Sequence, residues 1–369
     1  MTNGQGSVSV ERVEAAAYTI PTDAPESDGT LSWDSTTLVV VTAHAGGRTG
    51  IGYTYASPSA VSVVTGTLAA VVRGRDTAAP AGSWAAMLHA VRNLGKPGLV
   101  AESISAVDAA LWDLHARLVD LPLCTVLGAV HEAVPVYGSG GFTSYSDGRL
   151  AEQLRNWVEA GLPRVKMKIG RQPAGDVGRL RVARKAIGAD VELYVDANGA
   201  YSRKQALGWA ERLVEFDVRW FEEPVSSDDL EGLRLLRDRG PGGMDIAAGE
   251  YGYALPYFER MLSVGAVDCL QADVTRCGGP SALLRVAALC DARSLDLSLH
   301  CAPQISAHAA TAVWHLRHLE YFHDHERIER LAFDGVLEPE PGGVLRPDRA
   351  RAGHGLHVKE DDLEQFRVA

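Results

Sequence analysis

From residue 134 onward the chain alternates apolar runs of strand length with amphipathic stretches of helix length, a pattern few folds satisfy. The apolar runs are 134–141 (VPVYGSGG), 164–170 (RVKMKIG), 192–198 (ELYVDAN), 218–224 (VRWFEEP), 244–250 (MDIAAGE), 267–273 (VDCLQAD), 295–301 (LDLSLHC) and 319–323 (LEYFH). The intervening stretches 147–160, 176–187, 202–215, 228–237, 255–264, 279–293 and 304–316 are predicted helices, with Ser202 and Asp228 as N-caps of two of them. Strict alternation implies right-handed crossovers and a parallel sheet. A doubly wound open sheet seldom runs to so many uniform units. Eight strands with seven helices therefore predict a closed (β/α)7β barrel whose last helix is missing or displaced.

The preceding stretch reads differently. Residues 8–18 and 36–44 alternate as strands, and GGRTGIG (46–52) reads as a turn into a third strand rather than as a phosphate loop. Residues 57–72, 84–94 and 101–118 then read as helices. Strands first and helices afterwards make an α+β capping domain, expected over 1–130, before a barrel over 131–337. Residues 338–369 begin with a stretch rich in Pro and Gly and are expected to return to the first domain and complete it. The polar segment 22–35 (TDAPESDGTLSWDS) is expected to be a loop closing over the barrel mouth.

Composition excludes several classes of partner. A net charge of −11 disfavours nucleic acid and anionic membranes, which bind through Lys/Arg patches. No apolar run approaches the roughly 20 residues of a membrane span, and the N-terminus MTNGQGSVSV lacks the charged-then-apolar order of an export signal. The five cysteines are scattered without CxxC spacing, so reduced thiols, a cytoplasmic location and no zinc site are expected.

In a parallel barrel all strands end on one face, so groups at their C-terminal edges share a pocket. Lys166 and Lys168 lie two apart and point to the same side of their strand, opposite Val165, Met167 and Ile169. An isolated KxK reads better as a solvated edge. Here Asp196 and Asn198 repeat the spacing on the next strand and Glu222 follows on the one after, which turns the lysines inward. Asp196, Glu222 and Glu250 end three successive strands, and carboxylates that close raise one another's pKa unless a cation neutralises them. Any one of them reads as a cap or surface charge; three in register do not. Oxygen ligands without Cys or His select a hard cation such as Mg²⁺. Asp273 beside His300 would fix the imidazole tautomer and raise its basicity. His300 is placed opposite Lys168 with the metal between, an arrangement suited to moving a proton at the carbon next to a carboxylate.

The set resembles the enolase superfamily, in its mandelate racemase subgroup. The KxK, the DxN, the EEP at Glu222, the GE at Glu250, the Asp273/His300 pair, Glu320 in HLEYF and the segment 105–123 (SAVDAALWDLHARLVDLPL) carry that resemblance over essentially the whole chain. It implies an α+β capping domain over a (β/α)7β barrel. It also implies Asp196, Glu222 and Glu250 as Mg²⁺ ligands, and Lys168 and His300 as the two acid/base groups, His300 oriented by Asp273. Lys166 would contact the substrate carboxylate and lower the pKa of Lys168, and Glu320 would donate a hydrogen bond to a developing enediolate. Asn198 and Trp33 are expected at the substrate, Trp33 as a wall that sets specificity. This superfamily is known for Lys or His bases with Mg²⁺ stabilising an enediolate, so that chemistry comes from the resemblance and not from the spacing.

The expected activity is dehydration of a sugar acid to a 2-keto-3-deoxy acid, a lyase reaction. The alternative is a racemase or epimerase working through the same intermediate. A non-catalytic metal-binding scaffold is disfavoured because no acid/base position is replaced. Cycloisomerisation is set aside because muconate-lactonising enzymes carry a Lys where His300 stands. A small-molecule carboxylate is the expected partner, and a homo-oligomer the expected assembly. His315, His318, His323 and His325 look like a metal cluster, but solvated or capping roles are expected for them.

Overall fold

Three antiparallel strands in the order β1-β2-β3 open the molecule: β1 (Arg12–Ser27), β2 (Ser32–Ala45) and β3 (Arg48–Tyr55). The structure is a computed structural model and describes residues 8–369. Segment 22–35 is not a loop: β1 and β2 stay paired to Ser27 and Ser32, past an irregularity between Pro21 and Glu26. Ladder bonds come from the backbone, so a polar composition does not prevent pairing. Only the tip turns, where Asp28 Oδ1 accepts the N–H groups of Thr30 and Leu31, both at 2.6 Å. The first strand begins at Arg12 rather than at residue 8.

GGRTGIG turns only at Gly46–Gly47 and is already strand from Arg48. Its later glycines serve packing. A Cβ on Gly50 or Gly52 would run into the carbonyl oxygens of Ala110 and Ala106, so only glycine lets the helix Leu99–Leu118 lie this close to β3. The tail touches both the barrel and the first sheet. Val344–Leu345 pairs with the start of the first barrel strand, His354 Nε2 bonds the Ile51 carbonyl at 2.8 Å, and Thr19 donates its N–H to the Phe366 carbonyl at 2.9 Å.

Eight parallel strands close a barrel: β4 (Val134–Gly140), β5 (Arg164–Lys168), β6 (Glu192–Asp196), β7 (Val218–Glu222), β8 (Asp245–Ala248), β9 (Cys269–Ala272), β10 (Asp296–Leu299) and β11 (Leu316–Phe322). The first seven lie in runs read from the sequence; β11 begins at Leu316, three residues before its run, and pairs with β4 to close the ring. Ser202 caps the helix Arg203–Leu213 in a capping box with Gln205. The next cap is Asp229, not Asp228. Its carboxylate accepts the Gly232 N–H at 3.0 Å and is held by Arg203 Nε at 2.7 Å, an anchor Asp228 lacks.

A helix does follow the eighth strand, over His323–Ala332. Its buried face carries Asp324, His325 and Glu329 beside Ile328 and Ala332, so no clean apolar period announces it. Those polar groups meet the first sheet. Asp324 accepts the Thr36 hydroxyl, and Glu329 Oε1 accepts the Tyr53 hydroxyl at 2.7 Å. The helix Pro303–Ala310 is shorter than the predicted 304–316, because β11 already starts at Leu316. All five cysteines are free and buried. No helix among the described residues is long and apolar enough to cross a membrane.

Candidate active site

Side chains two apart on a strand share a face, so each barrel strand sends an inner pair into the ring. The lower members form an aromatic plug of Tyr137, Tyr194, Trp220 and His318. Tyr194 stacks on Trp220 with centroids 5.5 Å apart, and Tyr137 meets His318 edge-on at 4.6 Å. The upper members, nearer the strand ends, are Ser139, Lys168, Asp196, Glu222, His300 and Glu320. Lys166 sits between the layers, fully buried, with its ammonium 5.3 Å from the Tyr137 ring centre.

Asp196, Glu222 and Glu250 present oxygens that all lie within 4.8 Å of one another. Burial, then the neighbouring Asp196, pushes the Glu222 carboxyl up to about 8. Lys166 Nζ binds Glu222 Oε1 at 2.5 Å and Glu320 Oε1 at 2.9 Å. The other Glu222 oxygen takes the Trp220 indole N–H at 2.8 Å. Lys168 donates to Asp196 Oδ2. Burial works to lower the Lys168 pKa and Lys166 pulls the same way, but Asp196 together with Glu250 and Glu222 makes the net shift upward.

On the far side, His300 Nδ1 lies 2.8 Å from Asp273 Oδ2, while Nε2 lies 3.2 Å from Glu250 Oε2. Asp273 Oδ1 is held by the N–H and hydroxyl of Thr275, both at 2.7 Å. This fixes the carboxylate that orients the imidazole. Burial would lower the His300 pKa; the surrounding Cys301, Glu250, Glu320 and Asp273 raise it well above the ordinary value instead. Lys168 thus grips one end of the carboxylate trio and His300 lies beside the other. Three buried carboxylates without a sulfur or nitrogen donor fit a hard divalent cation.

A cavity of about 400 Å³ opens above this layer between the barrel mouth and the β1–β2 hairpin. Of the expected residues, Lys168, His300, Glu250, Asn198 and Trp33 line it. Lys166, Asp196, Glu222, Asp273 and Glu320 stand immediately behind. Glu320 differs from expectation. Lys166, then His300 and Lys168, overcome the effect of burial and hold it ionised, so here it accepts rather than donates hydrogen bonds. Asn198 has a left-handed backbone (φ 45°), gives its N–H to Asp196 Oδ1 at 2.8 Å, and keeps a buried Oδ1 without a partner. Trp33 donates to Glu26 Oε2 at 2.8 Å and sets its ring edge-on to Phe142.

Sequence reasoning passed over several groups. Arg276, within the LQADVTRCGG run, lines the cavity 3.5 Å from Glu250 Oε1 and 3.6 Å from Asp273 Oδ2. Its place three residues after Asp273 was the available signal. Cys301 Sγ lies 3.3 Å from His300 Nε2, and Ser139 donates to Glu320. Glu223 is buried at φ 38° with Oε1 unpartnered. The four histidines do not assemble into one cluster. His318 and His325 are buried instead of solvated; His318 belongs to the plug and His325 to the cavity wall.

A closed parallel barrel whose strand ends gather three carboxylates between a lysine and an imidazole defines a cation-dependent acid/base site. Residues 13–128 match the family described as mandelate racemase / muconate lactonizing enzyme, N-terminal domain, and residues 149–362 match the family described as enolase C-terminal domain-like. The chain belongs to the mandelate racemase / muconate lactonizing enzyme family of the enolase superfamily. A crystal structure of a mandelate racemase/muconate lactonizing enzyme-like protein from Rubrobacter xylanophilus is 58% identical, with a TM-score of 0.96 over 98% of this chain and 100% of that one. The 3,6-anhydro-alpha-L-galactonate cycloisomerase of Streptomyces coelicolor is 31% identical over 97% of this chain and 99% of its own. The L-talarate/galactarate dehydratase of Salmonella typhimurium is 34% identical over 73% of this chain and 66% of its own. Its crystal structure liganded with Mg and L-lyxarohydroxamate gives a TM-score of 0.89 over 100% of this chain and 95% of that one, at 25% identity.

Proposed function

We propose that the chain is a Mg²⁺-dependent sugar acid dehydratase that forms a 2-keto-3-deoxy acid. The observation that carries this reading is the placement of Lys168 and His300, which line one cavity while engaging opposite ends of the Asp196–Glu222–Glu250 trio. Mg²⁺ held by those carboxylates would supply fixed positive charge where the substrate carboxylate gains electron density. With that charge matching Asp196 and Glu250, one of Lys168 and His300 would give up its own proton to solvent and accept the α-proton, while the other stays protonated. The other then protonates the departing β-hydroxyl, which leaves as water, and the resulting enol becomes the keto acid. Asp273 keeps His300 in one tautomer. Lys166 pairs with Glu222 and holds Glu320 ionised, and Arg276 adds a further positive charge at the cavity edge. Asn198 and Trp33 contact the rest of the acid.

Cycloisomerisation, set aside from the sequence because His300 replaces a lysine, returns as a second reading. The Streptomyces coelicolor relative that supports it spans 97% of this chain. A screen of aldonic, aldaric and anhydro- or lactone-ring acids with Mg²⁺ separates these outcomes. Dehydration gives a 2-keto acid with loss of water. Cycloisomerisation changes the ring without losing water, and racemisation changes optical rotation alone. No 2-keto product from any acid would overturn the dehydratase reading.

A further inference from the structure

His325 is the third residue of the helix that follows the last barrel strand, and the chemistry described above gives it no part. Its ring lies flat against Tyr55 of β3, with centroids 3.4 Å apart and planes 9° from parallel, and Phe322 meets it edge-on at 5.1 Å. It is 6% exposed, and what it shows faces the cavity that Lys168 and His300 line. The Ala302 N–H points at His325 Nδ1, 3.2 Å away. An N–H can only donate, so Nδ1 must be the unprotonated acceptor, and the proton of the neutral ring is on Nε2. Burial holds the His325 pKa down, to about 3, which keeps the ring neutral throughout the working range.

The Ala302 amide is a demanding partner. Cys301 and Ala302 both have left-handed backbones, at φ 51° and 45°, directly after His300. Such a pair persists only where its surroundings hold it. Ser306 Oγ fixes the Cys301 carbonyl at 2.8 Å, and His325 fixes the next N–H. The imidazole is thus locked in orientation by a stack on one face and in tautomer by a backbone bond.

We propose that His325 is a substrate-binding residue: its Nε2–H donates a hydrogen bond to a hydroxyl oxygen of the sugar acid, on the part of the chain away from the reacting carbons. This rests on the dehydratase reading, because the contact needs a polyhydroxy acid in the cavity. A neutral donor suits a hydroxyl, and a site built to hydrogen-bond a hydroxyl discriminates against the analogue that lacks it.

Asparagine and glutamine substitutions divide the two nitrogens of the ring. His325→Asn can place an oxygen near the Nδ1 position and accept the Ala302 N–H, but it has no donor at the Nε2 position. His325→Gln reaches the Nε2 position with an amide N–H. The three proteins are assayed with Mg²⁺ on C5 and C6 aldonates and on the matched monodeoxy aldonates. His325→Asn is expected to lose about tenfold in kcat/KM on the best aldonate, mainly through KM, the size of one hydrogen bond. His325→Gln is expected to recover most of that loss. One monodeoxy acid is expected to cost the wild type about the same factor and to cost His325→Asn little further. A purely structural His325 gives the reverse order, with His325→Gln the weaker variant and equal deoxy penalties throughout; that order overturns the proposal, as does an indifferent His325→Asn. A wild type that forms no 2-keto product from any aldonate or aldarate overturns the dehydratase reading and this contact with it, whereas an active wild type beside an indifferent variant overturns this contact alone.

Discussion

The two inner layers of the barrel are built on the same strands, two residues apart, yet they solve opposite problems. The lower layer of Tyr137, Tyr194, Trp220 and His318 fills space with aromatic faces and holds its one titratable imidazole neutral: burial, then Arg164 and Arg317, lowers the His318 pKa well below its ordinary 6.5. The upper layer keeps charge in nearly the same degree of burial, with Asp196, Glu222 and Lys166 all at 0% exposure. The layers touch where Trp220 donates to Glu222 and where the Tyr137 ring faces Lys166. The difference teaches that charge at the barrel mouth is affordable only as a set. Each lysine answers a carboxylate, and the surplus of carboxylates calls for a cation.

Substitutions in the upper layer should break that set first. Asp196→Asn and Glu222→Gln are expected to abolish Mg²⁺-dependent turnover while circular dichroism shows a folded barrel. Wild-type turnover in both, or full activity with chelator present, would remove the carboxylate trio from the mechanism. Asp273→Asn should fall short of that loss and behave as a weakened His300 variant, since it disturbs the tautomer and basicity of the ring.

pH should separate the layers by sign. Glu222 in the metal-free protein has its pKa raised from 4.5 to about 8, so its stabilising contribution is complete below pH 4.5 and is lost as pH rises through 8. Added Mg²⁺ should therefore raise Tm more at pH 8 than at pH 5, and an equal increment at both would contradict the crowding of charge in this layer. His318 runs the other way. With its pKa depressed, it contributes stability above pH 6.5 that is lost as pH falls, by up to about 1.4 kcal/mol per pH unit. His318→Asn should flatten that acid limb; an unchanged limb would mean that other histidines carry it. The smallest effect is expected from Trp220→Phe in the plug. Loss of the indole N–H and some volume should cost about 1–2 kcal/mol in denaturant melts, with turnover changed far less than by Glu222→Gln.

Legibility in the sequence followed the same division. Strand ends that carry Lys168, Asp196, Glu222, Glu250 and His300 stand out because a charge after an apolar run is rare unless something uses it. The β/α period of the barrel was equally plain. The plug was not, since Tyr194 and Trp220 read as ordinary strand residues until closure of the ring brings them face to face. The hairpin over the mouth was misread because ladder bonds belong to the backbone and leave no trace in polar residues such as Glu26, Ser27 and Ser32. The helix His323–Ala332 hid for a related reason. Its buried face meets hydroxyls of Thr36 and Tyr53, so it carries Asp324 and Glu329 where an apolar stripe would have shown. Glu320 was given a donor role that its ion pair with Lys166 opposes. Long-range pairing of this kind becomes visible only when both partners are in view.

Exchange of the substrate α-proton with solvent deuterium tests the two-sided site most directly. It is measured in D₂O with Mg²⁺, using a sugar acid that the wild type turns over, for the wild type, Lys168→Ala and His300→Asn. The expected result is that the variant lacking the abstracting base loses exchange by about 10²–10⁴-fold while the other retains part of it, and that both lose turnover. Wild-type exchange and turnover in both variants would contradict the account, and the cavity would then have to be a binding site without bases.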